Sequence, residues 1–342
     1  MNNLLPEILY GKINNFESIF KDYLEDNKGF VIADENTINC RNLISSSFLF
    51  QLPVMILKAG EEYKSLEQIS SIWSFLNTHS ANRNDIIFLL GGGVVGDMGA
   101  FAASTYKRGL KFVNIPTSLL AMVDASIGGK TGFNFNHFKN NIGTFNHPEK
   151  IFCDVRFLKT LPREELLSGL AEVFKHAIIG DKPLWKHLKE NDINSLDYNL
   201  LIKKSAELKL NVVKQDINEK NLRKVLNLGH TVGHALESYL IDKKQPIKHG
   251  FAVAKGIIIE SYFAFKKSHI SQKTYFEIKK TINSYFGKHI KFKFDVKAVI
   301  SLMRADKKNS NIQINFSMPI KIGEVKFNQE INEDEVKKLL LD

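Results

Sequence analysis

The segment LRKVLNLGHTVGHALESYL concentrates side chains able to do chemistry. Arg223, Asn227, His230 and His234 lie 4, 3 and 4 residues apart. On one continuous helix that spacing puts them on a single face. Imidazoles at i and i+4 reach one divalent ion together, or one binds the ion while the other moves protons; a solvated polar face is the alternative. Gly229 and Gly233 each precede a histidine. Each glycine weakens a helix by about 1 kcal/mol, which makes sense where another backbone or a ligand must come close. Glu172 stands among apolar residues in LLSGLAEVFKHAII, with Lys175 one turn on. A buried acid needs a metal or a paired cation, so Glu172 is either a ligand or half of a salt bridge with Lys175. His249, in HGFAVAKG, opens another apolar helical run. Two histidines and one carboxylate would leave coordination positions for substrate oxygens, as a catalytic zinc site requires.

A second group lies earlier in the chain. GGGVVGD contains Gly91, Gly93 and Gly96 after the strand-like DIIFLL and before a helical run. That context suits a loop held against a pyrophosphate at a helix N-terminus, and it equally suits a tight strand-to-helix turn with no ligand. No acidic residue follows about twenty positions on, so the standard dinucleotide fingerprint is absent. Asp34, at the end of an earlier strand, is placed to bind a ribose hydroxyl instead. Residues 116–145 read as glycine-rich loops in which Asp124, Lys130, Lys139 and Asn140 together suggest an anion site, the alternative being solvent-exposed loop lysines. The spacing there is not that of a nucleoside-triphosphate loop.

The elements that must carry these groups differ between the two halves. Up to about residue 157, short apolar strands alternate with helices, the pattern of a parallel sheet covered on both faces. Beyond it the apolar spacing is helical, with one short hairpin expected near 312–316 and 320–327. The fold class expected is α/β plus all-α: a Rossmann-like domain over 1–157 and a mostly helical domain over 158–342, with the active site in the cleft between them.

The formal net charge of +10 favours anionic partners. The cations are scattered and no nucleic-acid-binding pattern is legible, which argues against nucleic acid and leaves a phosphorylated metabolite, or charge that is merely solvated surface. Cys40 and Cys153 form no disulfide framework. The N-terminus lacks a signal-peptide pattern and no apolar run is long enough to span a membrane, so a cytoplasmic protein with reduced thiols and no membrane partner is expected.

Taken in order, GGGVVGD, PTSLLAMVDASIGGKTG, KNNIGTF, LPREELLSGLAEVFKHAII, LRKVLNLGHTVGHALE, HGFAVAKG and DKK give the chain a resemblance to the 3-dehydroquinate synthase family of sugar-phosphate cyclases. The resemblance runs from near residue 29 to near residue 325. It implies an NAD-binding N-terminal domain, a helical metal- and substrate-binding C-terminal domain, a homodimer, and NAD with Zn2+ or Co2+ as cofactors. The implied reaction turns a phosphorylated keto-acid sugar, 3-deoxy-D-arabino-heptulosonate 7-phosphate, into 3-dehydroquinate and phosphate. Another sugar-phosphate cyclase, or a metal-dependent polyol or glycerol phosphate dehydrogenase, shares the same plan.

The resemblance also implies roles. Metal ligands fall on Glu172, His230 and His249, and proton handling on His234. Substrate contacts fall on Asp124, Lys130, Lys139, Asn140, Lys175, Lys209, Arg223, Asn227 and Lys307, with Arg108 reaching the phosphate from the other subunit. NAD contacts fall on Asp34, Asn36, Glu61, Lys64, Gly93, Asp97, Thr117, Ser118 and Thr160, with Lys130 and Lys139 nearby. Three positions depart from the family pattern: Phe251 for the usual Glu, Asn221 for Gly, and Phe138 for Gly in GKN. Phe251 sits next but one to His249, so support of that ligand is expected to differ.

Overall fold

The computed structural model describes residues 5–16, 18–136, 138–305 and 313–341. The chain forms two compact units, Met1–Pro162 and Arg163–Asp342.

In the first unit a six-stranded parallel sheet has the order β1-β8-β5-β4-β2-β3. Its strands are β1 (Glu7–Tyr10), β2 (Gly29–Asp34), β3 (Val54–Leu57), β4 (Ile86–Gly91), β5 (Lys111–Pro116) and β8 (Lys150–Cys153). Every residue of β2 and β4 is buried, the reason these strands read as unbroken apolar runs rather than alternating ones. The unit also holds helices α1 (Ser18–Asp26), α2 (Leu66–Thr78) and α3 (Gly93–Thr105). Ile69, Ile72 and Leu76 of α2 and Met98, Phe101 and Ala102 of α3 pack against Phe30, Ile32, Ile87 and Leu89 of the sheet. Full burial of each large apolar side chain contributes about 1.5–3 kcal/mol. The chain leaves β2 for β3 on one side and returns to β4 on the other. The topological switch therefore falls between β2 and β4, where open α/β sheets bind ligands beyond their carboxyl ends.

Residues 116–145 are more ordered than the loops expected from their composition. A single π-helical turn, Ala121–Ala125, carries Asp124. An antiparallel hairpin of β6 (Lys130–Phe135) and β7 (Phe138–Phe145) carries Lys130, Lys139 and Asn140. The glycines that suggested a loop include Gly132 and Gly143, where the strand backbones approach too closely for side chains.

The second unit holds α4 (Arg163–Gly180), α5 (Lys182–Glu190), α6 (Tyr198–Gln215), α7 (His230–Asp242), α8 (His249–Lys266), α9 (Gln272–Phe286), α10 (Val296–Ala305) and α11 (Glu333–Leu341). Asp181 and Asp197 cap α5 and α6 by accepting N–H bonds from Leu184 and from Asn199 and Leu200. A hairpin joins β9 (Gln313–Lys321) to β10 (Glu324–Asn332) through a turn at Ile322 and Gly323. It lies later and runs longer than the sequence suggests: the expected break between 316 and 320 falls inside β9, which accommodates Pro319.

The histidine segment is not one helix. Residues Leu222–Asn227 form a 3-10 turn, Gly229 adopts a left-handed conformation at φ 78°, and α7 begins at His230. Arg223 and Asn227 therefore do not share a helical face with the histidines. The break follows from Gly229, which a side chain could not replace: a Cβ there would lie 2.9 Å from the Val253 carbonyl and 3.0 Å from the Ile257 nitrogen of α8.

Candidate active site

In the first unit, Gly91 ends β4 and Gly92 caps α3, so the amides of the first turn of a 13-residue helix face outward at the topological switch. Gly91 has a local reason to be glycine, since a Cβ would lie 2.5 Å from the Val95 side chain. A Cβ at Gly96 meets nothing within 4 Å. Asp34 Oδ1 accepts the amides of Asn36 (3.0 Å) and Thr37 (2.8 Å), and Thr37 Oγ1 donates to the Leu90 carbonyl (3.0 Å). Those bonds tie the ends of β2 and β4 together. The Thr117 amide donates to the Gly91 carbonyl at 3.0 Å, and Ser118 Oγ accepts from the Ala121 amide at 3.2 Å.

Lys64, 3% exposed, donates to Asp97 at 2.5 Å and to Asn140 Oδ1. Asn134 accepts the Asn140 amide at 2.9 Å and donates to Glu61 Oε1 at 3.0 Å. Glu61, Lys64, Asp97 and Asn140 thus meet in one network, whose centre, Asn134, sequence reasoning missed. A recess at the strand ends is lined by Gly91, Gly93, Asp97, Asn114, Ser126 and Lys130. Asn36, Arg108, Lys139 and Thr160 are exposed; Arg108 has a left-handed backbone (φ 70°) on the turn after α3.

In the second unit three helices bring an acid and three imidazoles together. Glu172 and Lys175 lie on α4, fully buried and ion-paired to each other. His230 is the first residue of α7 and His249 the first of α8. Glu172 Oε1 lies 3.5 Å from Nε2 of His230 and 3.5 Å from Nε2 of His249. Ligand atoms about 2.1 Å from a tetrahedral ion stand about 3.4 Å apart, so Glu172 has that spacing to each imidazole; ligand atoms of His230, His234 and His249 also lie within 4.8 Å of one another. His230 Nδ1 lies 3.1 Å from the Leu228 carbonyl and His249 Nδ1 lies 3.2 Å from Glu237 Oε2. With a proton on Nδ1, each ring donates there and presents its Nε2 to Glu172. The ring of exposed His234 is centred 5.1 Å from that of His230 and 5.7 Å from that of His249. It borders the cluster from the solvent side.

The electrostatics separate the two imidazoles beside Glu172. Burial holds the His230 pKa well below its ordinary value, and Lys175 and the other histidines act in the same direction against Glu172. Burial also opposes charge on His249, but hydrogen bonds to Glu172 and Glu237, with both carboxylate charges, push its pKa up to about 10. A cation bound through Nε2 would take the place of that proton. Glu237 was not singled out from sequence, although it lies seven residues after His230 on the same helical face. It does for His249 what a second carboxylate does in carboxylate–histidine–metal arrangements. Phe251 takes no part: it stacks on His289 at 4.5 Å and packs in the core.

Other candidate residues lie on neighbouring elements of the same unit. Lys209 is buried on α6. Arg223 is buried; its amide donates to Asp216 at 3.0 Å and its guanidinium to the Ile217 carbonyl at 2.7 Å. Asn221, at the position where glycine is usual, donates its amide to Asp216 at 2.7 Å and the loop still closes. Asn227 donates to Glu219 at 3.3 Å. Lys307 lies outside the described residues.

Two sequence profiles match consecutively, 3-dehydroquinate synthase N-terminal over residues 54–168 and 3-dehydroquinate synthase C-terminal over residues 169–309. The chain belongs to the 3-dehydroquinate synthase family. A 3-dehydroquinate synthase of Parabacteroides distasonis is 38% identical over 326 residues, 94% of this chain and 92% of the relative. One from Rippkaea orientalis is 40% identical, covering 85% of this chain and 81% of the relative. Among solved structures, the 2-epi-5-epi-valiolone synthase of Streptomyces hygroscopicus with NAD+ and Zn2+ bound superposes with a TM-score of 0.87 at 20% identity, covering 100% of this chain and 97% of the other. As a member of the 3-dehydroquinate synthase family the chain has the expected fold, a parallel sheet with flanking helices followed by a mostly helical part.

Proposed function

We propose that this protein converts 3-deoxy-D-arabino-heptulosonate 7-phosphate into 3-dehydroquinate and phosphate, as a carbon–oxygen lyase of the shikimate pathway, with NAD+ and Zn2+ or Co2+ as cofactors. In a chain of this family, the observation that carries the proposal is the single carboxylate oxygen of Glu172 standing 3.5 Å from two imidazole nitrogens. A divalent cation held there would supply the acidity of a substrate hydroxyl, and a bound NAD+ would supply reversible hydride acceptance.

The chain's own residues supply the rest. Glu172, His230 and His249 hold the cation. His234, exposed beside them, moves protons to and from the substrate. Lys175, Lys209, Arg223 and Asn227, with Asp124, Lys130, Lys139, Asn140 and Lys307, bind and orient a substrate that carries both a carboxylate and a phosphate. Fixing the two ends limits unproductive conformers before ring closure. The amides at Gly93, with Asp34, Asn36, Glu61, Lys64, Asp97, Thr117, Ser118 and Thr160, hold the dinucleotide. Arg108 acts across a homodimer. The two units then correspond to a dinucleotide-binding domain and a metal- and substrate-binding domain. Among the described residues no helix is long and apolar enough to cross a membrane, in keeping with a cytoplasmic enzyme.

The test is incubation with the heptulosonate phosphate, NAD+ and Zn2+. Phosphate and 3-dehydroquinate should appear in equal amounts with no net NADH. Accumulating NADH would mark a dehydrogenase, and a different carbocycle would mark another sugar-phosphate cyclase; either result sinks the proposal.

A further inference from the structure

Glu260 is a fully buried acid in the apolar stretch GIIIESYFAF of α8. Such a group must be hydrogen-bonded or paired to be tolerated. Its Oε2 accepts the Gly229 amide at 2.6 Å and its Oε1 accepts the Val232 amide at 3.0 Å. Gly229 is the N-cap of α7 and offers no side chain for the cap. In a capping box two residues of the helix itself satisfy the N-cap and N3 amides. Here one carboxylate from a neighbouring helix satisfies both. The bonded amides flank His230, whose Nε2 faces Glu172.

The same helix carries His249. Eleven residues separate it from Glu260, and at 3.6 residues per turn this spacing returns to nearly the same face. Each residue therefore connects α8 to the site from one side of that helix: His249 directly, Glu260 through the backbone of α7. We infer that Glu260 is a positioning residue for the cation site, holding the first turn of α7, and with it His230, in register with His249. This inference rests on the metal site proposed above.

The experiment uses full-length protein freed of metal and titrated with Co2+, whose visible bands report ligand geometry. Glu260→Gln keeps the volume and one acceptor oxygen but turns an N–H donor towards an amide. It should weaken Co2+ binding about 10–100-fold, the usual range for residues that orient metal ligands, and should alter the band positions or intensities. Leu240→Ala, which truncates a buried side chain on α7, is the control. It should lower the melting temperature while leaving the affinity and spectrum of the folded protein as in wild type. Wild-type affinity and spectrum in Glu260→Gln would overturn the inference while leaving the metal site standing. Wild-type protein that binds no Co2+ would overturn both. If Glu260→Gln does not fold, hydrogen exchange on the wild type decides. Co2+ should slow exchange of the Gly229 and Val232 amides at least tenfold, and unchanged exchange would refute the coupling.

Discussion

Gly250→Ala puts the geometry of the cation site to a quantitative test. Gly250 follows His249 on α8 and lies against α4 at Ser168, one turn before Glu172. A Cβ at position 250 would stand 2.6 Å from both the carbonyl carbon and the Cα of Ser168, and closer still to the oxygen, where 3.4 Å is ordinary contact. The obstacle is main chain on both sides, so no rotamer change relieves it. The oxygen, at 2.0 Å, sets the movement: the start of α8 must retreat from α4 by about 1.4 Å to reach the 3.4 Å of ordinary contact. Metal-ligand distances tolerate about 0.2 Å, so the retreat carries His249 out of reach of an ion held by Glu172. Overpacking of this size costs about 1–3 kcal/mol, and with about 1.4 kcal/mol per tenfold in a binding constant, zinc affinity should fall about 10–100-fold. A competitive chelator titration on zinc-free protein measures this directly, with circular dichroism confirming the fold. Wild-type zinc affinity in a folded Gly250→Ala variant would refute the geometric reasoning.

Four further outcomes are expected. His234→Ala should retain stoichiometric zinc by elemental analysis while losing turnover; loss of zinc would reassign His234 as a ligand. Because metal-free His249 holds its proton up to about pH 10 and the ion must displace it, apparent zinc affinity should rise about tenfold per pH unit between pH 7 and 9. A flat chelator-competition profile would refute the proton count. Gly96→Ala adds a methyl with no protein atom within 4 Å; it should stabilise α3 by about 0.5–1 kcal/mol yet weaken NAD+ binding several-fold by calorimetry. Unchanged NAD+ affinity would argue against a dinucleotide at that helix. Burial pushes the Cys153 thiol up to about 12, so mass spectrometry should find no alkylation of Cys153 in the native protein at pH 8, and full alkylation after denaturation.

The parts of this molecule legible in its sequence are those fixed by local chemistry. Buried strands β2 and β4 announce themselves because both faces are apolar. Glu172 and Lys175 were placed on one face by helical spacing, and the structure pairs them. The differences share a cause: a glycine's local sequence suggests a close neighbour but not which backbone approaches or what conformation that approach imposes. Gly229 ends a turn because α8 passes against it, so the helix expected through 223–234 breaks there. Gly132 and Gly143 signalled a loop but serve the close contact of β6 with β7. Asn134, Glu237 and Glu260 escaped notice because each acts on a neighbour's hydrogen bonds and carries no motif of its own. Glu237 and Glu260 still left a trace, an acidic residue in an otherwise buried helical stretch.

The backbone contacts at Gly229 and Gly250 bear on which ions the protein would accept. When ligand spacing is set by main chain wedged against main chain, side-chain adjustment cannot widen the cradle for a larger guest. Calcium, with bonds of about 2.3–2.6 Å and six to eight oxygen ligands, would need the helices themselves to part. Ions of zinc's or cobalt's radius would need no such movement, so discrimination by size would be a property of the packed helices and not of the three ligands alone.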